Sequence, residues 1–110
     1  MNHTITNHGN IKVLALSGEI DMHSSPVARA AILDLVKTGA PVIVDLSEVK
    51  YMDSSGVASL VEGLQNAKKS GQDFVLAAPS GSVLGVIKLA RLDKVFRIVS
   101  SVSECDDLDA

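Results

Sequence analysis

Tryptophan is absent from this 110-residue sequence, and Tyr51, Phe74 and Phe96 are its only aromatic side chains. So few π-faces leave little on which nucleic-acid bases could stack. An excess of positive charge is missing too, since ten Lys and Arg stand against thirteen Asp and Glu, for a net charge of −3. Phosphate-backbone binding needs clustered cations, and the only adjacent pair is Lys68-Lys69. Direct nucleic-acid binding is therefore set aside. Cys105 has no second cysteine to pair with, so an intramolecular disulfide is impossible and a reducing compartment is expected. No apolar run approaches the roughly 20 residues that span a bilayer. The opening "MNHTITNHGN" carries neither the basic start nor the apolar stretch of a secretory signal. These absences together predict a cytoplasmic protein with no membrane contact.

Apolar residues make up 46% and charged residues 21%, enough to predict one folded core and a single domain over residues 1–110. Extended and helical signals alternate along the chain. "HTITNHGNIKVLALSG" reads as two strands about a turn at Asn7-His8-Gly9-Asn10. In the second strand Ile11, Val13 and Ala15 share one face and Lys12, Leu14 and Leu16 the other. A helix follows, with Ser25 as N-cap, Pro26 at its first position and Gly39 past its end. "PVIVDL" is short, β-branched and apolar, which suits a strand covered on both faces. Ser47 to Met52 then reads as a connection. A second helix buries Val57, Leu60, Val61 and Leu64 and ends at Lys68-Lys69-Ser70-Gly71, cations at the carboxyl end as the helix dipole favours. "DFVLAA", "SVLGVIKLARL" and "VFRIVS" read as strand, helix and strand. Ser101 and Glu104 have capping-box spacing for a last short helix. The predicted class is α/β, a mixed and mostly parallel sheet of four to five strands flanked by about four helices.

The stretch with the most chemistry is "VKYMDSSGVASLVEGL", in which Asp53-Ser54-Ser55-Gly56 stands at the start of the second helix. Unpaired N–H groups and a partial positive charge favour a phosphoryl group there. Gly56 would keep a side chain from crowding the approach. The same residues also serve as ordinary helix caps, with Ser54 the candidate cap and Ser55 in the first turn, and spacing alone favours that plainer role. In "SGEIDMHSS", Glu19, Asp21 and His23 alternate along a segment read as extended. Three such residues are too few for a ligand set, so no metal site is expected. A hydrolase triad of Ser55, His23 and Asp21 lacks the G-x-S-x-G elbow. Neither G-x-x-x-x-G-K-[ST] nor G-x-G-x-x-G occurs, so no nucleotide or other cofactor and no catalytic residue is expected. Asp45 ends a buried strand as a phosphorylated receiver aspartate would, but the acidic pair that receivers keep after their first strand is missing, which makes Asp45 structural.

"LSGEID", "VIVDLSEVKYMDSSGVASLV" and "LARLDKVFRIVSSVSE", in that order, resemble the STAS domain, and within it the small bacterial anti-sigma-factor antagonists. The resemblance implies a mixed sheet flanked by helices. It implies that the residue directly before the glycine, Ser55, is the phosphorylated hydroxyl. Asp21 matches the family's loop aspartate, and Asp53 the aspartate that begins the helix. Asp21, Asp53, Ser54, Ser55 and Gly56 then form the partner-binding switch. The implied partners are an anti-sigma factor that is also a serine kinase, and a serine phosphatase; the free protein is expected to be a monomer. Cys105 stands where the family often has alanine, outside the switch. Two alternatives remain: a STAS subunit of a lipid-transport ABC complex, or a small serine hydrolase using Ser55.

Overall fold

The computed structural model describes residues 1–108. Its strands β1 (Asn2–His8), β2 (Ile11–Ile20), β3 (Val42–Met52), β4 (Phe74–Ala77) and β5 (Arg97–Val99) form one sheet in the order β1-β2-β3-β4-β5. β1 runs antiparallel to β2, and every later pairing is parallel. The crossovers contain α1 (Ser25–Val36), α2 (Ser54–Lys69) and α3 (Gly81–Leu89). Parallel strands laid down in sequential order, each joined by a right-handed crossover, bring all their helices to the same face of the sheet. Residues from all three helices accordingly share one core with Leu14, Leu16, Val42, Val44 and Leu76.

The period-2 alternation read in β2 is realised, and β3 is covered on both faces as expected. Leu14 and Leu16 face the helices, while Ile11 and Val13 face the opposite side together with Ile43, Val75 and Ala77. That second side is covered by a closing 3₁₀ segment, Val102–Leu108, whose Cys105 is fully buried. Glu104 accepts the Ser101 N–H at 2.8 Å and the Ser100 N–H at 2.6 Å, the backward half of the capping box.

Three boundaries differ from expectation. The hairpin turn narrows to Gly9-Asn10, since His8 still pairs with Ile11 and Gly9 takes φ +64°. Ser25 does not cap α1: it is buried inside the helix and Ser24 stands at the cap position. Ser47 to Met52 is not a connection but the second half of β3, paired with Ser17–Ile20. Register shifts between Ala15 and Ser17 and between Gly18 and Glu19 realign the pair. They break the alternation in sequence, so that Val49 and Met52, three apart, both point inward.

Candidate functional site

The extension of β3 carries the chain to Asp53 beside the end of β2, where the Asp53 N–H donates to Ile20 O at 3.1 Å. Asp53 is extended (φ −99°, ψ −172°) and caps α2. Its Oδ1 accepts the Ser55 N–H at 2.9 Å, the Ser55 Oγ–H at 2.5 Å and the Gly56 N–H at 3.4 Å. The Ser55 hydroxyl, then the local N–H groups, hold the Asp53 carboxyl below the ordinary aspartate range, against burial and the neighbouring Asp21 charge. Ser54, the expected cap, is instead exposed at the first helical position. A carboxylate accepts several donors and a hydroxyl fewer, so Asp53 takes the capping role. Ser55 is half-buried.

Gly56 is buried, and a Cβ built on it would lie 2.6 Å from Met52 Cγ and 2.9 Å from Ile20 Cγ2. Its open side faces the core, so it lets α2 approach the ends of β2 and β3 rather than clearing a path from solvent. Ser59, one turn on and buried, donates to Ser55 O at 3.1 Å and lies 3.5 Å from Ser25 O. That contact ties the second turn of α2 to the first turn of α1. It was missed in the sequence because a serine among apolar helix positions carries no signal of its partner.

Asp21 does not lie on an extended run. Its Oδ1 accepts the His23 N–H at 2.9 Å and the Ser24 N–H at 3.1 Å, folding Asp21–Ser24 into a turn that starts α1. The Ser24 N–H, then that of His23, lowers the Asp21 carboxyl from its ordinary value. Ser24 Oγ accepts the Asp21 N–H at 3.0 Å and donates to Glu19 O at 3.0 Å. The aspartate meets the backbone of His23 and not its ring, so the arrangement a hydrolase triad requires is not built. Among the described residues no group of three or more His, Cys, Asp or Glu is placed to hold a metal. Asp45 lies within β3 and not at its end as expected, and its Oδ1 accepts the Ser47 N–H at 3.0 Å.

The site is thus two aspartate-capped turns, side by side at the carboxyl ends of β2 and β3, with one serine hydroxyl bound to the second. The STAS domain model matches residues 2–105. The chain belongs to the STAS domain family. It is 32% identical over 92 residues to the anti-sigma-B factor antagonist of Bacillus subtilis, covering 84% of each chain. A crystal structure of an anti-sigma factor antagonist from Mycobacterium paratuberculosis superposes with a TM-score of 0.90 at 26% identity, over 99% of this chain and 94% of that one. The Bacillus cell fate determinant SpoIIAA in its phosphorylated form shares the fold, with a TM-score of 0.74 at 22% identity over 96% and 97% of the two chains. In this STAS domain no helix among the described residues is long and apolar enough to cross a membrane.

Proposed function

We propose that this STAS domain is an anti-sigma-factor antagonist controlled by phosphorylation of Ser55. Unphosphorylated, it binds an anti-sigma factor that is also a serine kinase and thereby frees the sigma factor. The kinase transfers the γ-phosphoryl group of ATP to Ser55 Oγ, releasing ADP and the hydroxyl proton, and binding is lost. A serine phosphatase hydrolyses the ester and restores the first state. The chain is a regulatory binding module and not itself an enzyme.

The observation that carries this reading is the Ser55 Oγ–Asp53 contact at 2.5 Å. Phosphorylation removes the donated proton and sets a charge of about −1.5 to −2 against a carboxylate. A surface shaped to meet a neutral hydroxyl then meets concentrated negative charge. Ser54 offers no such consequence, since it is exposed and no bond of its hydroxyl is found among the described residues. Support also comes from the named relatives and from the order of motifs.

Isothermal titration of the cognate kinase, captured from native cytosol on the unphosphorylated protein, tests the reading. Ser55→Ala leaves a small neutral surface and should bind as the wild type does. Ser55→Asp adds one charge, fewer than phosphate, and should weaken binding without abolishing it. A charge left unpaired in an interface costs about 2–5 kcal/mol, or tens- to thousands-fold in Kd. Equal affinities for all three folded proteins would reduce Ser55 to a helix-start residue. Capture of a transporter ATPase instead of a kinase would favour the lipid-transport alternative.

A further inference from the structure

On the side of α2 that faces α1, Ser55 lines a cleft of about 410 Å³ together with Ser25, Pro26, Arg29, Ser59 and Glu62. Arg29 is the cation of that lining. Its guanidinium is held by Glu62 in a two-pronged pair, Nε 2.5 Å from Oε2 and Nη2 2.7 Å from Oε1. Both side chains are substantially exposed, 51% and 37%, so water screens the pair and competition for it costs little.

The hydroxyl of Ser55 is bound to Asp53. Esterification takes away the proton that holds it there and puts a dianion beside the Asp53 carboxylate, with Asp21 adding to the repulsion. The Ser55 side chain must then turn from Asp53, and the cleft that Ser55 lines offers a guanidinium. We propose that phosphoserine at position 55 takes Arg29 away from Glu62. The guanidinium fork matches two phosphate oxygens as well as it matches a carboxylate, and the dianion outcompetes the monoanion. Glu62, released, also lines the apolar groove between α2 and α3. Phosphorylation therefore changes the charge of a second surface, one turn or more along α2, without moving the backbone. This inference rests on Ser55 as the phosphorylated residue.

The test encodes phosphoserine directly at position 55, so no kinase is needed and the choice of serine is not at issue. Phosphorus NMR reads the second ionisation of the phosphate, and the Arg29 Nε–H resonance reads its partner. Arg29→Ala should raise the phosphate midpoint by about half a pH unit. Arg29→Lys keeps the charge but loses the fork, and should fall between wild type and Arg29→Ala. Glu62→Gln should move the Arg29 Nε–H resonance in the unmodified protein and leave it unmoved in the phosphorylated one. An Arg29→Ala midpoint equal to wild type would overturn the proposal, as would a Lys variant indistinguishable from wild type. A Glu62→Gln effect on Nε–H in the phosphorylated protein would overturn the exchange. Both side chains are exposed, and circular dichroism confirms the fold of each variant. The Ser55 reading itself fails separately, if the kinase and ATP place phosphate elsewhere.

Discussion

At the scale of single residues, Asp53 decides how the helix starts and what Ser55 can do. Its folded carboxyl lies below the ordinary value, so the folded protein binds fewer protons there than the unfolded chain. Stability from Asp53 is then fully present above the unfolded aspartate value of about 4, and is lost as pH falls through the lower folded value. Asn caps helices as well as Asp does but cannot titrate. Asp53→Asn should therefore show its largest deficit in denaturant midpoint near neutral pH, and the deficit should close below about pH 4. A pH-independent difference between the two proteins would mean that the carboxylate charge contributes nothing. The competing serines separate by mass spectrometry. After treatment with the cognate kinase and ATP, fragment ions should place phosphate on Ser55, and modification confined to Ser54 would refute the assignment. Geometry reverses the expected division of labour here, because Ser55 is the engaged hydroxyl and Ser54 the exposed residue.

Between elements, two helical glycines, one in α2 and one in α3, have opposite consequences. Gly63 is buried where a Cβ would meet Ile32 Cγ2 and, at 2.8 Å, the Phe74 ring. Gly85 in α3 faces open space. Replacing glycine by alanine inside a helix gains about 1 kcal/mol of propensity. At Gly85 nothing opposes that gain, and Gly85→Ala should raise the unfolding midpoint. At Gly63 overpacking against a branched and an aromatic side chain costs about 1–3 kcal/mol and should outweigh it, so Gly63→Ala should lower the midpoint. Chemical denaturation of both variants checks the signs. Leu60, 1% exposed on the same helix, should cost about 2–5 kcal/mol as Leu60→Ala. The apolar face of α2, the double-covered strand β3 and the order of elements were legible because hydrophobic period reports burial directly. What was not legible has a common cause. The extension of β3 depends on its pairing with β2 across two register shifts, the placing of Asp53 on the bond from its N–H to Ile20 O, and the Arg29–Glu62 pair on α1 lying against α2. Each is set by a second segment far away in sequence, and local pattern carries no trace of it.

For the molecule as a whole, the two faces of the sheet differ in how firmly they are covered. Three helices enclose one core, while the other face relies on the short segment Val102–Leu108. Its polar ties are exposed: Arg97 to Asp107 at 3.1 Å, and His8 Nε2 to Asp106 at 2.6 Å. Each such pair contributes about 0–1 kcal/mol, so the segment is held chiefly by Val102, Cys105 and Leu108 against the sheet. Burial pushes the Cys105 thiol up from its ordinary value, and reaction with a thiol reagent requires the segment to lift. A segment with few buried contacts opens locally at less cost than global unfolding. Labelling of Cys105 should therefore depend only weakly on denaturant. Arg97→Ala should speed it by up to about fivefold, the factor that matches roughly 1 kcal/mol, while leaving the main unfolding transition almost unchanged. Ser55 belongs to the opposite, helix-covered side, and its switch acts through local charge. Phosphorylated and unphosphorylated protein should accordingly label Cys105 at the same rate. A large rate difference between those two forms would show that phosphate loosens the whole sheet, and the local account of the switch would have to be abandoned.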